Sequence, residues 1–121
     1  MCVRVFLADD AEIMRKAIRI LLSNREDISV VGEAANIRET IQKTAELHPD
    51  LIILDVNMPH KEYISPTRVK SLLNGAKILA ITLGADDVKE ELLQDIGAAK
   101  LLDKMDLFKE LIPAILELAP A

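Results

Sequence analysis

The sequence predicts an α/β fold: a doubly wound, five-stranded parallel sheet with helices on both faces. Three observations carry this. Five short strand-like runs alternate with five stretches of helical periodicity, without an internal repeat, low-complexity segment or linker. The best-defined runs are apolar almost throughout rather than alternating, as strands covered on both faces are. Half of the 121 residues are hydrophobic (50%), enough for one packed core, so residues 1–121 are read as one domain. Right-handed crossovers limit the topologies that this order allows. The expected strand order is 2-1-3-4-5, with a crevice where the first and third strands part.

Each element has its own signal. Val3–Ala8 is a mostly apolar run of strand length. Residues 11–23 follow as a helix, with Ile13, Ala17 and Leu21 repeating at four and Met14 and Ile18 widening that face. Arg15, Lys16 and Arg19 make its other face basic, which reads as a solvated surface with a docking role as the alternative. Ile28–Ala34 is strand-like with Gly32 inside it, and Asn36 is placed to cap a helix over Ile37–Leu47. The stripe expected to be buried there is Ile37, Ile41 and Ala45, and Pro49 closes the helix ahead of the strand Leu51–Asp55. Residues 58–63 read as loop, and Pro66 opens a short helix that Asn74–Gly75 ends. A strand over 78–82 precedes a helix over 86–96 with Val88, Leu92 and Ile96 inward, stopped by Gly97. The last strand, 100–103, is the weakest. Asp106 is placed to cap a final helix carrying Leu107, Leu111, Ile115 and Leu118, which Pro113 should bend or disrupt.

Composition removes several function classes. A formal net charge of −5 argues against direct nucleic-acid binding, which needs a basic patch for phosphates. No run is long and apolar enough to span a membrane, and the N-terminus lacks a signal-peptide pattern, so a cytoplasmic location is expected by default. The single Cys2 excludes an internal disulfide and a cysteine-based zinc cluster; it reads as a small buried hydrophobe or a terminal bystander. His48 and His60 are isolated, are expected to be exposed, and are given no metal.

The chemistry lies where the strands stop. The first ends on Asp9 and Asp10, the third on Asp55, the fourth on Thr82, and Lys104 follows the fifth. Ligands of open α/β sheets bind at that edge. Asp10 alone is as well explained as a helix cap, Asp55 as a turn acid, Thr82 as a strand-end hydroxyl and Lys104 as a surface lysine. Together they form a set. Carboxylates about 4 Å apart repel by roughly 4 kcal/mol per pair at an effective dielectric of about 20, so protonation or a cation must offset them. A hard divalent ion is the natural partner, and magnesium suits one or two carboxylates plus a phosphate oxygen. Asp55 would then be an ion ligand and a nucleophile able to attack phosphorus, with Lys104 and Thr82 binding phosphoryl oxygens.

These residues resemble the response-regulator receiver domain, the CheY-like phosphoacceptor module of two-component signalling, whose fold is flavodoxin-like. The resemblance covers essentially the whole chain. It rests on Ala8–Asp9–Asp10, Asp55–Val56–Asn57–Met58–Pro59, Ile81–Thr82 and Lys104, with 27 positions from Asp55 to Thr82 and 22 from there to Lys104. It implies Asp55 as phosphoacceptor. It implies magnesium held by Asp10, Asp55 and the backbone carbonyl of Asn57, with Asp9 acting mainly through a bound water. Thr82 and Lys104 would grip the phosphoryl group and report it to the last two helices. The partner implied is a histidine kinase; beyond its own phosphotransfer and dephosphorylation the chain would not be an enzyme. Gly32–Glu33–Ala34 and Lys104–Met105–Asp106 are similar to receivers of the LuxR-type subfamily, which implies a C-terminal DNA-binding domain outside this chain. A homodimer through the last two helices and strand is a further expectation by family analogy.

The chain departs from the family at several positions. Tyr63 replaces the glycine usual eight residues after the phosphoacceptor, and Leu101 replaces the aromatic usual three before the lysine. Met105 replaces the proline that often follows the lysine. Asn57 and Gly84, at the positions that tune phosphoryl lifetime, are short and imply little shielding from water. Two rival functions follow. One is a degenerate receiver-fold scaffold that works without phosphorylation, which Tyr63 and Leu101 favour. The other is a magnesium-dependent aspartyl phosphohydrolase, which would want an acid where Asn57 stands.

Overall fold

The computed structural model describes residues 2–58, 64–73 and 75–120. Five strands, β1 (Val3–Ala8), β2 (Ile28–Ala34), β3 (Leu51–Asp55), β4 (Lys77–Thr82) and β5 (Ala98–Asp103), form one parallel sheet in the order β2-β1-β3-β4-β5. Five helices connect or follow them: α1 (Glu12–Leu22), α2 (Ile37–Leu47), α3 (Pro66–Leu72), α4 (Glu90–Ile96) and α5 (Leu107–Leu118). The expected class and strand order are therefore both found. β1 and β3 are neighbours whose connections leave in opposite directions, so the loops after Ala8 and Asp55 open the crevice.

Period-two strand geometry sends alternate side chains into two cores. On one side Val3, Val5, Leu7, Leu51, Ile53, Leu79 and Ile81 pack with Ile18 and Leu22 of α1 and Leu107, Leu111, Ala114 and Ile115 of α5. On the other Phe6, Ala8, Ile52, Leu54 and Ile78 pack with Ile37 of α2, Val69 of α3 and Ile96 of α4. β3 is buried throughout, which explains why Leu51–Leu54 shows no alternation. A register shift between Val5 and Phe6 sets Phe6 beside Gly32 rather than Val31. A Cβ on Gly32 would stand 2.7 Å from Leu47 Cδ1 and 3.0 Å from the Phe6 ring, so this glycine admits the end of α2 to the sheet.

Several helix expectations need correction. In α1 the inward face is Met14, Ile18, Leu21 and Leu22, while Ile13 is 81% exposed. Ile13 follows the acidic loop at the rim of the sheet, before α1 settles on its core. In α2 the buried residues are Ile37, Thr40 and Thr44; Ile41 is half-buried and Ala45 exposed. Both threonines bury by donating back along the helix, Thr40 to the Asn36 carbonyl and Thr44 to that of Thr40, so they sit inside despite their polarity. Asn36 caps α2 as expected, accepting from Glu39 N at 2.8 Å. The expected helix over 86–96 is two pieces: a 3₁₀ turn over Ala85–Asp87, extended backbone at Val88 and Lys89, then α4. Asp103 captures the Ala85 amide at 3.0 Å, tying that turn to β5. Gly97, left-handed at φ 74°, ends α4 as expected.

Asp106 does not cap α5. Asp103 caps a 3₁₀ turn, Lys104–Asp106, that leads into the helix, accepting from Met105 N at 3.0 Å. α5 runs unbroken through Pro113, which is exposed while Leu111, Ala114 and Ile115 anchor the other side. Cys2 and His48 are exposed, which removes the buried option for Cys2. Among the described residues no helix is long and apolar enough to cross a membrane. His60, Tyr63 and most of the loop over 58–63 lie outside the described residues.

Candidate functional site

The polar strand ends meet in one place. Asp9, Asp10 and Asp55 each offer a carboxylate oxygen, and these atoms lie within 4.8 Å of one another. Asp9 is 1% and Asp55 4% exposed, whereas Asp10 is open to solvent. The difference follows from the chain path. Asp9 and Asp55 continue buried strands, and Asp10 begins the turn into α1. Asp10 makes no cap for that helix: Ala11 occupies the cap position without a side-chain bond, and its amide donates instead to Asp9 Oδ1 at 2.9 Å.

Lys104 reaches into this cluster from the end of β5. Its Nζ lies 2.8 Å from Asp9 Oδ2 and 3.2 Å from Asp55 Oδ2, with 9% of the side chain exposed. The contact with Asp55 has hydrogen-bond geometry. The closer one to Asp9 is an ion pair without it, and Asp9 Oδ2 is a buried oxygen lacking a hydrogen-bond partner. Asp55 Oδ1 accepts from the Asn57 amide at 2.9 Å.

The electrostatics are frustrated. Burial pushes the Asp55 carboxyl above its usual range; the Asn57 amide opposes this, the charge of Asp9 adds to it, and Lys104 offsets part. Burial alone would lower the Lys104 ammonium, but contact with Asp9 and the charges of Asp55 and Asp9 outweigh it and hold the pKa above the ordinary value. One ammonium thus pairs with two acids, and Asp10 adds a third carboxylate beside them. Three carboxylates, each offering one oxygen within 4.8 Å of the others at a site open to solvent at Asp10, are a donor set that fits a hard divalent cation.

Thr82 is buried at the end of β4 and joined to the cluster through Asn57, whose Nδ2 donates to Thr82 Oγ1 at 2.6 Å. The hydroxyl points weakly at the Leu83 carbonyl, 3.2 Å away. The structure therefore brings together every residue that the sequence singled out: Asp9, Asp10, Asp55, Asn57, Thr82 and Lys104.

Three features escaped sequence reading. The Asn57 side chain bridges β3 and β4. Asp103 ties the turn after β4 to β5, and its carboxyl is held below the usual range by the amides of Met105 and Ala85. Arg15 and Arg19 are no free basic face: both pair with Glu33, at 2.9 and 2.5 Å, while Lys16 is exposed. Burial would raise the Glu33 carboxyl, but the two guanidiniums hold it below its ordinary value. The spacing of Arg15 and Arg19, one helical turn apart, was the available signal for a shared partner.

Comparison with known proteins accords with this architecture. The response regulator receiver domain family matches residues 5–116, and the chain belongs to that family. It is a receiver domain of the two-component response regulator type. It is 40% identical over 92 residues to a protein-glutamate methylesterase/protein-glutamine glutaminase of Methanosarcina acetivorans, covering 74% of this chain and 26% of that protein. It is 34% identical over 116 residues to the response regulator VraR of Staphylococcus aureus, covering 95% of this chain and 56% of VraR. The chain thus spans about a quarter of the one relative and just over half of the other. A LuxR-family response regulator from an Aurantimonas species superposes with a TM-score of 0.82 at 27% identity, over 97% of this chain and 84% of that one. The response regulator domain of Thermotoga maritima CheB gives 0.77 at 25% identity, over 97% and 92%.

Proposed function

We propose that Asp55 accepts a phosphoryl group from a histidine kinase, with magnesium bound beside it, and that the domain thereby switches an output. The observation that carries this reading is a cluster of three carboxylates, two of which pair with one ammonium. Lys104 Nζ lies within 3.2 Å of both Asp9 and Asp55, and Asp10 closes the acidic set from the solvent side. Asp9, Asp10, Asp55 and the Asn57 backbone carbonyl would hold the ion, with Asp9 acting mainly through a water. Bound magnesium would supply charge neutralisation for the incoming phosphoryl oxygens.

The chain's own residues do the rest. The Asn57 amide fixes one Asp55 oxygen and Lys104 orients the other, so the carboxylate is aimed before the donor arrives. An Asp55 oxygen attacks phosphorus. The new bond is an acyl phosphate, and the bond between phosphorus and the donor's histidine nitrogen breaks, its electron pair staying on that nitrogen. Lys104 then trades a carboxylate contact for a phosphoryl oxygen. Thr82 gives up the Leu83 carbonyl to donate to another, which moves the turn after β4 and with it the Asp103 tie to β5. That path supports signal output even though Leu101 stands where an aromatic is usual.

The same geometry disfavours turnover of outside substrates. An aspartyl phosphohydrolase would want a general acid or base two residues after its nucleophile, and Asn57 there spends its side chain on Thr82. We therefore read the chain as non-enzymatic beyond its own phosphotransfer and dephosphorylation, acting in the cytoplasm as one receiver domain over 1–121. The likeness to a LuxR-family regulator supports a DNA-binding output domain outside this chain, and a homodimer through the last two helices and strand is proposed by family analogy alone. Intact mass after incubation with acetyl phosphate tests the reading. One phosphoryl increment, abolished by a chelator and by Asp55→Asn, is expected; no increment while magnesium binds would favour a degenerate scaffold.

A further inference from the structure

We propose that Arg15, anchored by Glu33, is a positioning residue for the divalent-ion site: it fixes the peptide that joins Asp9 to Asp10 and so sets the separation of those carboxylates. The proposal rests on reading the acidic cluster as an ion site.

Arg15 leaves α1 one turn after the acidic pair. Its Nη1 donates to the Asp9 carbonyl oxygen at 2.6 Å, and its Nε donates to Glu33 Oε1 at 2.9 Å. Only 14% of its side chain is exposed, against 39% for Arg19. Glu33 lies near the end of β2, in register with Leu7 of β1. Arg19 Nη1 meets both Glu33 oxygens, so the anchor is itself held. A planar guanidinium thus ties the end of β2 to the loop that leaves β1.

What this does to Asp9 is specific. Its amide donates to the Ala34 carbonyl at 3.1 Å, its Oδ1 accepts from the Ala11 amide, and its carbonyl accepts from Arg15. Three of its four polar atoms are fixed by neighbours. The fourth, Oδ2, is the buried oxygen without a hydrogen bond that faces Lys104. The carbonyl belongs to the peptide plane shared with Asp10. Without Arg15 that plane can rotate, and the two carboxylates no longer keep a common geometry. Losing a partner that holds a metal ligand in place typically costs about 10–100-fold in affinity.

Charge alone predicts the opposite sign. A guanidinium beside a cation site repels the ion, so deleting it should tighten binding if Arg15 acts only through its charge. Calorimetric titration of the full chain with magnesium separates the two. Arg15→Met is expected to weaken binding about 10-fold in the folded protein. Arg15→Lys keeps the charge but loses the fork, and is expected to weaken binding by a comparable factor; it carries the test if Arg15→Met does not fold. Lys16→Met, a neighbouring charge deletion on the exposed face, should leave affinity within about twofold, since an exposed charge is screened. Unchanged or tighter binding in folded Arg15→Met or Arg15→Lys overturns the clamp while leaving the receiver reading intact. A wild-type chain that binds no magnesium overturns that reading, and the clamp with it.

Discussion

Asp55→Asn should stabilise the metal-free domain. Three carboxylate oxygens lie within 4.8 Å of one another, and at an effective dielectric near 20 each pair of charges repels by about 3.5 kcal/mol or more. Lys104 Nζ, 3.2 Å from Asp55, returns about 5 kcal/mol on the same scale. Ionised Asp55 is therefore left with an unfavourable balance of about 2 kcal/mol before burial adds to it. Asparagine keeps the shape and can still accept from the Asn57 amide, so we expect a gain of about 1–2 kcal/mol, or about 4–8 °C in Tm. The sign with pH follows from the direction of the Asp55 shift. Its folded pKa is raised above the ordinary value of 3.8, so its contribution to stability is present below that value and lost as pH rises through the folded pKa. The advantage of Asp55→Asn should vanish near pH 3 and grow as pH rises through the folded pKa. Urea unfolding followed by circular dichroism, with a chelator present, reads this directly. Magnesium at millimolar concentration should stabilise the wild type more than the variant and narrow the gap. A variant no more stable than wild type at pH 7, or a gap independent of pH, would refute the claim that these acids are held in mutual repulsion.

The other predictions use the same geometry. Lys104→Met strands Asp9 and Asp55 beside each other; metal-free stability should fall by about 3 kcal/mol in urea unfolding while magnesium affinity rises several-fold. Gly97→Ala forces a methyl into left-handed backbone and within 3.0 Å of the Lys70 side chain, and should cost about 1 kcal/mol by thermal unfolding. Asp103→Ala should leave magnesium affinity unchanged but speed amide hydrogen exchange at Ala85 and Met105, whose amides it accepts. Asn57 and Gly84 offer little cover to a phosphoryl group on Asp55, so acyl-phosphate decay measured by intact mass should be complete well within hours; a half-life of many hours contradicts this.

The sheet was legible because buried parallel strands write themselves as continuous apolar runs. Leu51–Leu54 and Ile78–Ile81 could hardly be anything else, and a sharp stop on Asp55 and Thr82 marked the functional edge. Helix faces were less legible. Thr40 and Thr44 bury by bonding to their own helix, which a hydrophobic pattern does not register, and Ile13 is exposed although it shares the period of Ala17 and Leu21. The helix predicted over 86–96 failed at its start because a carboxylate seventeen positions after Asp86, Asp103, takes the Ala85 amide. No local pattern encodes that tie. The candidate site was legible residue by residue, since its members lie at or just after the ends of β1, β3, β4 and β5. The partners that hold it, Glu33 on Arg15 and Asn57 on Thr82, needed the third dimension: they join segments that meet only once β2 and β4 flank the central strands.

The central claim is that Asp55 itself takes the phosphoryl group. Borohydride treatment after exposure to acetyl phosphate and magnesium tests it most directly, because hydride reduces an aspartyl acyl phosphate to homoserine and leaves a free carboxylate untouched. Peptide mass mapping should place homoserine at position 55, and only when magnesium is present. Homoserine at position 9 or 10 instead, or none anywhere in a chain shown to bind magnesium, would contradict the account.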